Sequence, residues 1–124
     1  MEDKMLHLLL AADTSTFDVQ TETVEVSRLS KAFGEPFLMK MRGLTYTEVD
    51  EIRSQEGDFK TNCIVKATLE PNFENRDFVL HFGVTTPAEA VAKVFPPGEI
   101  ENLFSVISDL SGYKAEAVVE IEKK

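Results

Sequence analysis

The sequence predicts an α+β fold in a single domain: an N-terminal β-hairpin over about residues 22–43, then a compact helical part over about 45–112. Three observations predict it. Apolar and polar residues alternate through 23–27 and 37–42, the two-residue period of half-buried strands. Thr45 with Glu48, and Thr86 with Glu89, are spaced as capping boxes, in which a threonine oxygen accepts the third helical amide while the glutamate reaches back. The segment from Pro96 to Tyr113 carries a full helix signature: a proline-glycine break, an acid at the positive end of the helix dipole in Glu99, and a glycine stop in Gly112.

The elements follow in chain order. Residues 4–12 suit a short apolar helix with Met5, Leu8, Leu9 and Ala12 on one side; Leu6 and Leu10 make it apolar nearly all round, so it must be buried or must dock. Residues 13–16 are a polar break. In the hairpin Phe37, Met39 and Met41 share one face, and residues 30–36 supply the turn between the strands. The helix opened by Thr45 places Tyr46, Val49 and Ile52 on its buried face, with Glu48, Asp50, Glu51 and Arg53 as a solvated one.

Residues 59–70 read both ways. Cys63, Val65, Ala67 and Leu69 alternate as in a strand, whereas the length and the bracketing by Gly57 and Pro71 suit a helix. Phe73, Phe78, Val79 and Phe82 suggest a short helix closed by Gly83, and the next helix buries Ala88, Val91, Ala92 and Phe95. The last helix aligns Ile100, Leu103, Phe104, Ile107 and Leu110 on one face, as core or as a self-association surface. Residues 114–124 alternate charge with apolar side chains and are expected to be a mobile extension.

Composition narrows the function. A chain of 124 residues buries enough surface to fold without staples, and its one cysteine, among Ile64, Val65 and Ala67, reads as a small buried hydrophobe. The opening apolar run is short and follows acids, unlike a signal peptide, and no run is long enough to span a bilayer. The expected place is the cytoplasm. Twenty-two acids against thirteen bases give a net charge of −9, which repels a phosphate backbone and argues against nucleic acid.

Catalytic chemistry finds no footing. His7 and His81 are far apart, without the cysteine pair or neighbouring histidine that a metal site wants, so no metal and no cofactor is expected. The six glycines are isolated punctuation rather than a phosphate-cradling loop. What remains is apolar surface. Nine phenylalanines and four methionines fill a core first, and Met39 and Met41, with Met5 and the first leucines, could also form an adaptable binding face.

The serial order of these pieces, residues 23–29, 35–41, 47–53, 67–73 and 96–113, resembles the phage tail assembly chaperones of the XkdN type, found in PBSX-like and skin-element prophages of Gram-positive bacteria. The resemblance covers about residues 8–113. It implies a protein without enzymatic activity that binds the tape measure protein, keeps its apolar segments from aggregating, aids tail tube assembly and is absent from the finished virion. It also implies a mostly helical segment after the hairpin, which favours helix for 59–70. Met39, Met41 and Leu44 are then candidates for client contact, with the tape measure protein and the tail tube protein as expected partners and a homo-oligomer as a further one. Such genes often yield a longer product by frameshifting, for which the Lys123-Lys124 end is compatible. Two other readings compete: a virion component such as a tail-tube or head-tail connector protein, and a small enzyme, which would need Cys63, His81 and acids to converge.

Overall fold

Two segments of alternating sequence pair as expected, and everything else is arranged around the strand they share. The computed structural model describes residues 3–113 and 117–121. Strands β1 (Thr21–Glu25) and β2 (Leu38–Arg42) run antiparallel with Thr21 opposite Arg42 and Glu25 opposite Leu38. A third strand, β3 (Thr68–Glu70), lies on the other side of β2, giving the order β1-β2-β3. Seven helices complete the described chain: α1 (Lys4–Ala11), α2 (Ser27–Phe33), α3 (Tyr46–Ser54), α4 (Phe59–Ala67), α5 (Arg76–His81), α6 (Pro87–Val94) and α7 (Pro97–Leu110). A single 3-10 turn, Thr14–Phe17, separates α1 from β1.

The connection between β1 and β2 is a helix where a turn over 30–36 is expected. Leu29 is buried on α2, and the Arg28 guanidinium grips both oxygens of Glu99, at 2.9 and 3.0 Å, and the Val94 carbonyl at 2.8 Å. These tertiary anchors hold two helical turns where local propensity reads as a loop. Gly34, with φ +74°, ends α2 in the left-handed region and returns the chain to β2.

The segment 59–70 divides between its two readings. Asp58 caps α4 by accepting from the Thr61 amide at 2.9 Å, and the helix runs to Ala67 before β3 begins. Thr61, Cys63, Ile64, Val65 and Ala67 are all buried, so α4 is packed on most of its surface and its apolar residues show no clean helical stripe. Burial on several sides explains the strand-like pattern.

Both capping boxes form. Thr45 accepts from the Glu48 amide at 3.2 Å while Glu48 accepts from the Thr45 amide at 3.0 Å; Thr86 and Glu89 do the same at 3.2 and 3.1 Å. Helix α7 ends as its glycine suggests: the Gly112 amide, at φ +91°, donates to the Asp109 carbonyl and the Tyr113 amide to that of Ser108. Three side chains fall elsewhere than expected. Tyr46, in the first turn of α3, is 85% exposed, while Val49 and Ile52 alone of that face are buried. Ala92 is exposed and Ala90 is buried in its place. Glu48 is not part of a solvated face but half-buried against Arg42. The expected mobile extension lies partly outside the described residues, as does the lysine pair at 123–124; residues 117–121 form neither helix nor strand.

The core is continuous from the sheet to the last helix. Met39, Met41, Ile64 and Val91 are wholly buried, Phe95, Leu103 and Ile107 nearly so, and Ile100, Phe104 and Leu110 pack against them half-buried. Two contacts bind the N-terminal elements to α7. A Cβ at Gly43 would run into the backbone carbonyl of Leu110, and the next amide, of Leu44, donates to the Ser111 hydroxyl at 2.8 Å. Beside them Arg42 forks onto Glu48 at 2.8 and 2.7 Å and donates to the Gly43 carbonyl at 3.0 Å.

Two measurements check this frame. Gly43→Ala places a methyl against main chain that cannot swing aside, and is expected to lower unfolding free energy by about 2 kcal/mol or more in urea titration. The Arg42 fork holds the Glu48 carboxyl down from 4.5 to about 2. The stability this supplies is full above pH 4.5 and is lost as pH falls through 2. Relative to Glu48→Gln, the native chain should gain about 3 kcal/mol at pH 7 and roughly half that at pH 3.

Candidate apolar docking surface

Each residue proposed for chemistry or binding has a definite place in the fold. Cys63 is buried in the wall of a cavity of about 370 Å³ beside Phe59 and Phe104, and burial pushes its thiol up to about 11. His81 is exposed at the lip of a different groove, its ring edge-on to Phe82 at 5.0 Å. The two do not meet. Among the described residues no group of three His, Cys, Asp or Glu side chains is placed to hold a metal ion. No helix among them is long and apolar enough to cross a membrane.

Met39, Met41 and Leu44 are inside the domain, the two methionines with 0% exposure, so the folded chain does not offer them as a contact surface. The reason is the sheet: α-helical cover lies on the face that Met39 and Met41 share, which makes them core. Ile100, Leu103, Phe104, Ile107 and Leu110 face the same core from α7.

Apolar surface appears instead at two places. The first is α1. Asp3 caps it by accepting from the Leu6 amide at 3.0 Å, yet the helix contains no buried residue. Met5, Leu6, Leu8, Leu9 and Leu10 are all exposed, Leu10 by 74%, and so is Phe17 in the turn that follows. At 100° per residue the five span a wide apolar arc, leaving Lys4, His7 and Ala11 as a narrow stripe behind. The expectation that this helix is buried or docked is not met within the monomer. Covering each such side chain is worth about 1.5–3 kcal/mol when complete, so leaving five in water is costly unless something else covers them.

The second is a groove of about 670 Å³ between α2, α5 and the loop after β3. Leu29 and Phe33 come from α2, Phe37 from the approach to β2, Phe78 from α5 and Phe82 from the C-cap that ends it. Asn75 caps α5 by accepting from the Asp77 amide at 2.8 Å, which turns Phe78 and Phe82, four residues apart, onto one face. An aromatic ladder ties the wall to the core: Phe82 to Phe78 at 5.4 Å, Phe78 to Phe73 at 5.1 Å, Phe73 to Phe95 at 6.1 Å between centroids. On the opposite wall Phe33 stacks near Phe37 at 5.9 Å and is 61% exposed. Sequence reading missed this wall because residues 30–36 look like a turn; the usable signal was Leu29 and Phe33 at helical spacing.

A larger cleft of about 830 Å³ lies between α4, α6 and α7, but three of its five acids already have structural work. Asp58 and Glu89 cap helices, and Glu101 pairs with Lys60 at 2.7 Å. The apolar groove is therefore the better candidate for a ligand.

Among the described residues the α+β body thus carries an exposed apolar helix, α1, and a solvent-open groove lined by phenylalanines. The chain belongs to the XkdN-like phage tail assembly chaperone family, whose family model matches residues 55–123. Among solved structures it is similar to the crystal structure of the protein YqbN, with a TM-score of 0.62 and 22% identity over 84% of this chain and 99% of that one. That likeness carries the fold. No curated protein matches.

The exposure of α1 leads to a direct check. Leu6→Glu with Leu10→Glu removes no native packing and should leave unfolding free energy within about 0.5 kcal/mol of the native chain. The same variant should bind less of a fluorescent apolar dye such as ANS.

Proposed function

We propose that this protein is a non-enzymatic tail assembly chaperone that holds apolar helical segments of the tape measure protein in the groove between Phe33 and Phe82, in the host cytoplasm, until tail tube subunits enclose them. Family membership supports the general role. The observation that carries the reading is the groove itself, walled by phenylalanines from α2 and α5 and open to solvent.

The physical logic is that of a helix laid in a groove. A long helical client exposes apolar stripes that would otherwise associate with one another, and a small domain covering one stretch at a time prevents this. Aromatic rings accept leucine, isoleucine or alanine without demanding one sequence, which suits a client recognised at many points. The net charge of −9 keeps such a coated client apart from other coated clients. Release follows when tube subunits compete for the same stripes.

Co-expression tests the proposal. The candidate tape measure protein, produced with this chain, should gain soluble yield several-fold, and Phe33→Glu in the groove should abolish the gain while leaving the chaperone folded. An unchanged yield with the native chain would overturn the reading, and recovery of the protein in purified virions would favour a structural role instead.

A further inference from the structure

The cavity of about 370 Å³ beside Cys63 lies between α3, α4 and α7, away from the aromatic groove. We propose that it binds an apolar carboxylate: a hydrophobic group about the size of a phenyl ring enters the cavity, and the carboxylate attached to it pairs with Arg53.

Helical spacing builds the walls. Val49 and Arg53 are four residues apart on α3, Phe59 and Cys63 four apart on α4, and Phe104, Ile107 and Ser108 share a face of α7. Val49, Cys63 and Ile107 are buried and form the floor. Phe59 and Phe104, half-buried and edge-on to each other at 5.9 Å between centroids, form the sides. At about 370 Å³ the space falls within the roughly 300–1,000 Å³ of small-molecule sites, and is more than twice the roughly 150 Å³ of apolar cavity that admits benzene.

Its charge is the reverse of the protein's. Arg53 is the one charged residue lining it, whereas Asp77 stands on the wall of the aromatic groove, five acids on that of the larger cleft, and Glu25 and Glu99 on that of a cavity of about 310 Å³. Arg28, Arg42 and Lys60 are each paired with a carboxylate, but Arg53 forms no ion pair among the described residues. Its guanidinium lies over the Phe59 ring instead, 5.6 Å from the centroid. The charge is felt at the floor: burial raises the Cys63 thiol, and Arg53 opposes that rise. Ser108 and Tyr113 line the same cavity, and their hydroxyls make no hydrogen bond to a described residue.

A planar guanidinium with its edge N–H groups unengaged matches a carboxylate, and the two hydroxyls add donors beside it. The apolar floor and sides select the rest of the ligand. A neutral molecule of the same shape fills the cavity but forgoes the ion pair. The net charge of −9 opposes the approach of an anion, so affinity is modest, with a Kd on the order of 1 mM for an acid of about twelve heavy atoms. Two sources present this chemistry: a free hydrophobic acid, and the last residue of a polypeptide that ends in phenylalanine or leucine.

Amide chemical-shift titration of the full chain tests the site, with 4-phenylbutyrate and the matching alcohol, 4-phenylbutan-1-ol, as probes and no client present. The acid should give saturable shifts centred on Val49, Cys63, Phe104 and Ile107, and the alcohol should bind about fivefold more weakly. Arg53→Gln should bring the acid down to the affinity of the alcohol, and added salt should narrow the difference between the two in the native chain. Arg53 is exposed, and the unshifted remainder of the spectrum verifies that the variant is folded. Acetyl-Ala-Ala-Phe as the free acid and as the amide separates the sources: binding of the peptide acid tighter than that of 4-phenylbutyrate identifies a polypeptide C-terminus, and weaker binding identifies a free acid. Absence of saturable shifts up to about 20 mM acid, well beyond the expected Kd, would overturn the inference. So would shifts confined to the aromatic groove, or equal binding of acid and alcohol by the native chain.

Discussion

The missing side chain at Gly43 is the constraint on which the rest of the structure depends. It lets the C-terminal turn of α7 lie directly against the end of β2, backbone on backbone, where the Leu44 amide meets the Ser111 hydroxyl. That hydroxyl in turn donates to the Ile107 carbonyl at 2.7 Å, so one serine both closes the helix and fastens it to the sheet. Elements more than sixty residues apart in sequence are thereby held in one register. The core between them, Met39 and Met41 on one side and Leu103 and Ile107 on the other, is fixed as a consequence.

Around this seam the acidic residues are put to structural use. Asp3, Asp58, Glu48 and Glu89 satisfy amides at helix starts, where the helix dipole favours negative charge. Glu48 does two jobs at once, capping α3 and receiving the Arg42 fork, which joins β2 to α3 through a half-buried pair. Arg28 plays the corresponding part on the far side, holding α2 to the start of α7. Being more exposed, that pair orients α2 more than it stabilises it.

Local chemistry made part of this fold legible. The strands around Val24 and Met39, both capping boxes and the α7 stop at Gly112 rest on residues within a few positions of one another, so their signals are present in the sequence. Helix α2 was not legible, because Arg28 reaches Glu99 across 71 positions and nothing nearby announces it. The same distance effect hid the groove, whose walls come from α2, α5 and the loop between β3 and α5. The methionines were read as surface and core alike, and only the sheet's cover decides for core. Conversely, the oddity of the first helix, too apolar to be left in water, was plain in its leucines and remains so in three dimensions.

The seam at Gly43 also joins the family-matched segment to the rest of the fold. The family match begins at residue 55, yet the core that closes over α4 and α7 draws Val26, Leu29, Met39, Met41, Leu44, Val49 and Ile52 from ahead of it, seven of its seventeen members. Strand β3, inside the matched span, pairs among the described residues with β2 alone, and β2 is outside it. The matched segment is therefore not an autonomous unit: it is one half of a cooperative body, and substitutions in the other half are constrained to keep filling the same volume.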